Sequence, residues 1–174
     1  MLDFLSGGRP VNLRCPVACC GEYVTEDIYA LTIHCHHDEF IVCLADHGSR
    51  LPGNIKFNSL EKFHIPMLWI GGALKIQDSI ISVYGSQIDI ANTILSQLNI
   101  SNNKYKYGKD LLDTNIKDFS FFVFNDGLGY IDKDCYYIYD NIAGQIIENS
   151  ASFQESDLEF GQALLQKTMN DFLK

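Results

Sequence analysis

The sequence contains no long apolar run and has little positive charge for its length. No stretch of 18 or more apolar residues occurs among its 174 residues, so no membrane-spanning segment is predicted. The first residues do not resemble a signal peptide, because Gly7, Gly8 and Pro10 interrupt a short apolar start. Its 13 Lys and Arg are outnumbered by 22 Asp and Glu, which gives a formal net charge of −9. Nucleic-acid backbones and anionic membrane surfaces would repel such a chain, so neither is expected as a partner.

The six cysteines are unevenly distributed, and all but Cys135 lie within the first quarter of the chain. That distribution does not predict a disulfide framework for the whole chain. Neither a Cys-x-x-Cys pair nor a second Cys/His pair at zinc-finger spacing is present. The sequence therefore indicates neither a thiol redox centre nor a structural zinc site.

One short segment, the run HCHHDE from His34 to Glu39, consists entirely of residues that can bind metals. Imidazole and thiolate suit zinc or nickel. Structural metal sites, however, separate their ligand pairs by intervening residues and a folded scaffold. We interpret the run as an adventitious surface cluster, and a regulatory metal sensor built on it is kept as an alternative.

The composition predicts one folded domain, because 47% of the residues are hydrophobic and can form a substantial core. The character of the sequence changes near residue 40. Residues 1–40 show no sustained period of two or 3.6 residues and are interpreted as an atypical N-terminal segment. A short helix within residues 25–33, capped by Thr25, is the one element suggested there. Residues 41–174 have regular turn signals and are predicted to form the domain itself.

The later segments predict an α/β fold in which strands, a helix, a meander and a closing helix follow one another. An apolar run predicts a strand buried on both faces at 40–45, and further strands are predicted at 65–70 and 119–125. A helix is predicted at 86–98, beginning near Ser86 or Asp89, and a small antiparallel meander at 129–132, 136–139 and 145–148. The closing helix, 156–173, would be capped by Ser156 with Glu159 at the capping-box position. The aromatic residues of the meander are interpreted as core.

The tripeptide Asp46-His47-Gly48 follows the first predicted strand directly. Adjacent residues in a strand point to opposite faces, so two neighbouring ligands can meet one ion only where the chain turns, and Gly48 permits that turn. A carboxylate and an imidazole form a suitable partial set of ligands for zinc or manganese. An ordinary turn aspartate beside a surface histidine would give the same three residues.

Five segments resemble the sulfatase family in order and spacing. They are ADHGSRLPG (45–53), FHIPMLWIGG (63–72), SQIDIANTIL (86–95), FFVFNDGLGY (121–130) and YDN (139–141). The closer likeness is to the lipoteichoic acid synthase and phosphoglycerol transferase group of the alkaline phosphatase superfamily. The resemblance covers about residues 41–150. It implies a partial alkaline-phosphatase-like sandwich, with residues 41–174 as the C-terminal portion of a sulfatase-like domain.

The resemblance also implies an activity and a set of site residues. Members of the family use a divalent metal, here manganese, zinc or magnesium, to transfer or hydrolyse phosphoesters or sulfate esters. Asp46 and His47 match the consecutive metal ligands of the family, and Arg50 and His64 would contact the anionic substrate. A solvated loop cation is the alternative for Arg50, and a structural role for His64. Relatives are usually anchored in the cell membrane with an extracytoplasmic catalytic domain.

The sequence departs from the family pattern in its first 40 residues, which do not match the family's upstream part. The family's nucleophile and remaining acidic ligand lie in that part, so this chain alone is expected to be inactive. A truncated or frame-shifted gene product would explain both features. The alternative function is a non-catalytic fragment that serves as a metal-binding or interaction module.

Overall fold

The fold is described from a computed structural model. It describes residues 2–7, 28–35, 38–45, 48, 55–56, 58–72, 74, 78–101 and 103–174. In chain order their elements are β1 (Leu2–Gly7), β2 (Ile28–Cys35), β3 (Asp38–Ala45), a 3₁₀ helix (Leu60–Phe63), β4 (Ile65–Gly71), β5 (Ser79–Ile81), α1 (Asp89–Gln97), β6 (Phe119–Phe124), β7 (Gly127–Asp132), β8 (Tyr136–Asp140), β9 (Gln145–Asn149) and α2 (Glu155–Phe172). The chain divides into two compact units: unit 1 holds residues 1–83 and 95–100, and unit 2 holds residues 84–94 and 101–174.

Unit 1 contains a five-stranded sheet with the strand order β2-β3-β4-β1-β5. Strands β1 and β4 are parallel, whereas the other neighbouring pairs are antiparallel. The strands predicted from the apolar runs at 40–45 and 65–70 are confirmed as β3 and β4. They lie beside each other and antiparallel, with Val42 opposite Trp69 and Leu44 opposite Met67.

The first 40 residues contribute strands that sequence reasoning missed. The short helix expected within residues 25–33 is wrong for the described part of that segment, because β2 begins at Ile28 and pairs with β3 along eight positions. Backbone pairing with a neighbouring strand therefore overrides a weak local helix signal. Strand β3 also spans residue 40, so the change in sequence character there does not coincide with a division of the fold.

Burial in unit 1 is concentrated on one face of the sheet. Val42, Met67 and Trp69 are completely buried and belong to paired positions of β3 and β4. The neighbouring residues Cys43 and Leu68, which alternate with them along the strands, are only half-buried. Strand β3 was expected to be buried on both faces, but only the face that includes Val42 is completely buried.

Unit 2 contains the predicted four-stranded meander, in the order β6-β7-β8-β9, with every neighbouring pair antiparallel. Three aromatic rings form a ladder across three of its strands: Phe119 stacks on Tyr130 and Tyr130 on Tyr137, each pair with centroids 5.6 Å apart. This face also packs against residues of α2, including Leu158 and Leu165. The interpretation of the meander aromatics as core is confirmed for this ladder.

The closing helix is confirmed as α2, but its predicted cap is wrong. Gln154 is the N-cap, and the capping box is completed by Asp157, whose Oδ2 accepts the backbone N–H of Gln154 at 2.9 Å. Ser156 lies inside the helix. The N-cap thus lies two residues before the predicted one, because the reciprocal capping-box hydrogen bonds form between Gln154 and Asp157.

Mixed helices and sheets, a C-terminal antiparallel meander and a closing helix thus describe the fold, which agrees with the coarse α/β prediction. Among the described residues no helix combines the length and the apolar composition that crossing a membrane requires.

Candidate functional site

Three of the four predicted site residues, Asp46, His47 and Arg50, lie outside the residues that the structure describes. Their immediate surroundings are nevertheless defined. Ala45, which is buried, ends β3, and Gly48, also buried, follows the Asp46–His47 pair. Both ends of this dipeptide are therefore held within unit 1.

The end of β3 and the beginning of β4 lie side by side, at the same end of the two strands. The two strands are antiparallel, and Leu44 is paired with Met67, so the chain leaves β3 beside the point where β4 begins. His64 immediately precedes β4 and is partly buried. The segment before β4 and the segment after β3 therefore begin at the same end of the two strands, although about 20 residues separate them in sequence.

Gly48 is packed tightly against that incoming segment. A Cβ atom added at Gly48 would overlap the backbone carbonyl of Lys62 and would lie 3.2 Å from the carbonyl oxygen of His64. The Lys62 ammonium also donates a hydrogen bond to the Gly48 carbonyl. Only glycine fits this position, because the obstructing atoms are backbone and cannot rotate away. Gly48 is therefore a site of close backbone approach. The turn predicted there stays a prediction, because the residues on either side of Gly48 lie outside the described part of the chain.

The segment that holds Gly48 has a defined conformation of its own. It is the 3₁₀ helix Leu60–Phe63, which His64 ends by donating its N–H to the Glu61 carbonyl at 3.3 Å. The structure brings the backbone of His64 beside Gly48. Lys62 was missed, because nothing in the sequence relates it to a glycine 14 residues earlier.

A second polar group, which sequence reasoning also missed, lies in unit 2 around Asp89. This buried carboxylate accepts the backbone N–H of Ser86 at 2.8 Å and that of Lys109 at 2.9 Å. The Lys109 ammonium lies 2.6 Å from the same carboxylate and donates to the Phe119 carbonyl at 2.7 Å. The Ser-x-x-Asp spacing of Ser86 and Asp89 was a recognisable helix-start signal, whereas Lys109 is too distant in sequence to be inferred.

The Asp89–Lys109 pair is almost wholly removed from solvent, with 2% and 11% of the side chains exposed. Burial lowers the pKa of Lys109 from its ordinary value, while Asp89 and Asp118 oppose that change. The Lys109 ammonium donates hydrogen bonds to the Asp89 carboxylate and to the Phe119 carbonyl, and it lies 4.3 Å from the Phe119 ring centroid. These contacts identify the pair as a structural clamp, because no face of it is open to a substrate.

A third polar group surrounds Asp132 at the turn between β7 and β8. Its carboxylate accepts the Tyr130 hydroxyl at 2.9 Å and the backbone N–H groups of Asp134 and Cys135 at 2.9 and 2.8 Å. Lys117 lies 2.8 Å away, although 63% of its side chain is exposed. The turn composition could have indicated the backbone contacts, since aspartate commonly accepts N–H groups two and three residues later.

The pKa values around Asp132 identify a structural rather than a reactive group. Burial alone would raise the pKa of Asp132, but hydrogen bonds from Lys117, the two backbone N–H groups and Tyr130 together hold it at about 2. Burial raises the pKa of Tyr130 to about 12, against the opposing effect of Lys117, and raises that of Cys135 to about 12. Both groups stay protonated at neutral pH, so neither is an activated nucleophile.

The described residues contain no group of three His, Cys, Asp or Glu side chains able to hold a metal ion. Within that part of the chain, four members of the His34–Glu39 cluster occupy paired strand positions, His34 opposite Glu39 and Cys35 opposite Asp38. Asp46 and His47, which lie outside the described residues, are residue types of suitable chemistry for manganese, zinc or magnesium. A complete set needs further ligands.

Comparison of the chain with protein-family models, with curated proteins and with solved structures finds no match. The candidate site therefore depends on the sequence segments that resemble the sulfatase family and on the geometry around Gly48.

Proposed function

We propose that this chain is the C-terminal portion of a metal-dependent, sulfatase-like phosphoglycerol transferase or phospho/sulfo-ester hydrolase, and that Asp46 and His47 provide part of its metal site. The observation that carries the proposal is the packing of Gly48 against Lys62 and His64. This packing holds the residue that directly follows the two candidate ligands against the segment that precedes β4.

In this proposal each residue at the sheet edge has one task. A divalent ion held there would lower the pKa of an attacking hydroxyl and neutralise charge on the substrate oxygens. Asp46 and His47 would hold the ion through a carboxylate oxygen and an imidazole nitrogen. Arg50 and His64 would donate hydrogen bonds to the anionic ester group, which suits the planar guanidinium of arginine in particular. The partial alkaline-phosphatase-like sandwich belongs to the same proposal.

A second candidate is a non-catalytic metal-binding or interaction module. Two ligands bind an ion more weakly than the three or four of a catalytic site, and the family's nucleophile belongs to the upstream part that residues 1–40 do not match. The two candidates share the Asp46–His47 site and differ in whether the chain turns over an ester.

Metal binding is the first test, because it does not require turnover. Titration of the full chain with Mn²⁺ in a calorimeter is expected to show one site that Asp46→Ala and His47→Ala each abolish. Asp134→Ala removes an exposed carboxylate from unit 2 and His36→Ala removes an imidazole from the other cluster, and both should leave the affinity unchanged. Loss of binding in His36→Ala alone would contradict the proposal and favour the metal sensor.

Turnover separates the enzyme from the module. The Mn²⁺-loaded chain is assayed on an aryl phosphate and an aryl sulfate, with Asp46→Ala as the control. Hydrolysis that Asp46→Ala abolishes would support an active enzyme. Metal binding without hydrolysis of either ester would favour the second candidate for the isolated chain.

A further inference from the structure

The two ends of α2 are supported in different ways. Near its beginning, Leu158 packs on the aromatic face of the meander, and the Tyr137 hydroxyl fills the space that a side chain at Gly161 would need. Near its end, Met169 is half-exposed and Phe172 is largely exposed. The meander therefore holds the beginning of the helix more firmly than the end, so contacts from elsewhere in unit 2 matter most at the end.

The loop of residues 103–109 supplies such a contact through Tyr107. The Tyr107 hydroxyl donates a hydrogen bond to the carboxylate of Asp171, which lies in the last turn of α2 and 64 positions later in the sequence. The same hydroxyl lies 3.4 Å from the backbone carbonyl oxygen of Lys167, and the Lys167 ammonium lies 6.0 Å from the centroid of the Tyr107 ring. One tyrosine thus contacts the last two turns of the helix.

The 103–109 loop is itself attached to the rest of unit 2, so it gives the helix end a firm support. The buried side-chain amide of Asn92, in α1, donates to the backbone carbonyls of Tyr105 and Gly108. A Cβ atom added at Gly108 would overlap the Ile88 carbonyl oxygen, which shows how closely the loop approaches the beginning of α1. The backbone of Tyr107 is therefore held on both sides.

The charges around the hydroxyl make this contact depend on its protonation. The hydrogen bond to Asp171 is the largest of the effects that raise the pKa of Tyr107 above its ordinary value of 10.0, and the negative charge of Asp171 adds to it. The cations that face the pair are Lys167 on α2, Lys174 beyond it and Lys106 on the loop. A tyrosinate would lose the donated hydrogen bond and would repel the Asp171 carboxylate.

We propose that Tyr107 is a pH-sensitive latch on α2, whose neutral hydroxyl holds the last turn of the helix to the 103–109 loop and whose ionisation releases it. The latch lies within unit 2 and does not depend on the proposed function. Because the pKa of Tyr107 is raised in the folded chain, the stabilising contribution is complete below about pH 10 and is lost as the pH rises through the folded pKa.

The test is carbon-detected NMR of the full chain from about pH 7 to 11.5. The Cζ shift of Tyr107 reports its ionisation, and the Cα shifts of residues 168–172 report the helix. In the wild type both should change together, with one midpoint above about pH 10. Tyr107→Phe removes only the hydroxyl and should leave the helix end frayed at pH 7, with no further change in alkali. Tyr105→Phe, at an exposed tyrosine of the same loop, is the matched control and should behave as the wild type.

Trypsin digestion at about pH 8 measures the latch in its closed state. Cleavage after Lys167 requires local opening of α2, so it should be roughly fivefold faster in Tyr107→Phe, the factor that corresponds to one ordinary hydrogen bond. Cleavage after Lys133, an exposed residue of the turn between β7 and β8, should be unchanged. Equal rates after Lys167 in the variant and the wild type would overturn the latch.

Two NMR outcomes would also overturn it. The first is ionisation of Tyr107 without a change in the Cα shifts of residues 168–172. The second is the same alkaline change in Tyr107→Phe, which would assign it to other groups. If Tyr107→Phe does not fold, Asp171→Asn decides: it keeps an acceptor oxygen but removes the charge, so the midpoint should fall towards the ordinary pKa of 10.0. A midpoint that does not move would contradict the latch.

Discussion

The two units differ in whether charged side chains are buried in their interiors. In unit 2 the carboxylates of Asp89 and Asp132 are buried, and each is surrounded by several donors within the unit. In unit 1 the buried part of the described sheet is apolar, with Val42, Met67 and Trp69 at its centre. The residues predicted to carry chemistry there follow the end of β3. Among the described residues, the buried carboxylates Asp89 and Asp132 have structural roles.

The two units can be followed separately by spectroscopy. Trp69, the single tryptophan, is fully buried in unit 1, whereas Tyr130 and Tyr137 are fully buried in the aromatic ladder of unit 2. Tryptophan fluorescence thus reports unit 1, and the near-ultraviolet circular dichroism of tyrosine reports mainly unit 2. Each change below is expected to affect one signal more than the other.

The largest effect is expected from Lys109→Met in unit 2. Removing this cation leaves the buried carboxylate of Asp89 without its counter-charge, which should lower the free energy of unfolding by about 3–5 kcal/mol. Urea unfolding followed by tyrosine circular dichroism measures the loss. Lys133→Met, at an exposed position of the same unit, is the control. A loss no greater than that of the control would show that the pair is not a structural clamp.

The next effect is expected in unit 1 from Gly48→Ala. The new Cβ would overlap the Lys62 carbonyl, and because the obstructing atom is backbone we expect a cost of about 3 kcal/mol, the upper end for overpacking. Tryptophan fluorescence during urea unfolding should show it, while the tyrosine signal should change little. Gly144→Ala, at an exposed turn of unit 2 with φ of +65°, is a control for a glycine whose substitution strains the backbone without a close contact. Equal shifts of both signals in Gly48→Ala would show that the units unfold together.

Asp132 should make the stability of unit 2 depend on pH under acidic conditions. The pKa of this carboxylate is about 2 in the folded chain, below its ordinary value of 3.8, so its stabilising contribution is complete above about pH 4. That contribution, about 2 kcal/mol, is lost as the pH falls from about 4 towards 2, because the unfolded chain then binds the proton more readily. Tyrosine-detected stability between pH 2 and 6 should fall less steeply in Asp132→Asn than in the wild type. Parallel slopes for the two proteins would contradict the assignment.

The smallest effect concerns the corrected cap of α2. Asp157→Ala removes the carboxylate that accepts the Gln154 N–H, and it should cost about 1 kcal/mol of unit 2 stability. Ser156→Ala should be nearly neutral, because Ser156 lies inside the helix and does not cap it. Thermal unfolding followed by tyrosine circular dichroism compares the two. A larger loss in Ser156→Ala would restore the cap predicted from the sequence.

Patterns that are local in sequence predicted much of the fold. The apolar runs that became β3 and β4, the meander and the closing helix all carry a period or turn signal within a few residues. Of the missed strands, β5 has only three residues and β1 includes the polar Asp3 and Ser6, whereas the largely apolar β2 was interpreted as a short helix. Pairing with neighbouring strands orders all three. The cap of α2 was misplaced because Ser156 with Glu159 and Gln154 with Asp157 both stand at capping-box spacing, and only side-chain geometry distinguishes the two pairs.

Only part of the candidate site could be predicted from the sequence. The order Asp46-His47-Gly48 and the later His64 could be read from the chain, and the structure places Gly48 and His64 at one sheet edge. The resemblance that relates them to a metal-dependent enzyme stays a prediction. Lys62 could not be found from the sequence, because its contact with Gly48 depends on β3 and β4 being antiparallel neighbours.

The sequence by itself determined which segments are apolar enough to become strands or helices and where the chain can turn. These properties depend on short-range sterics and on the removal of apolar side chains from water. The tertiary structure alone decided which strands pair and which charges are buried together. Contacts such as Lys109 with Asp89 and Lys62 with Gly48 join residues 20 and 14 positions apart, and their existence depends on the packing of whole elements.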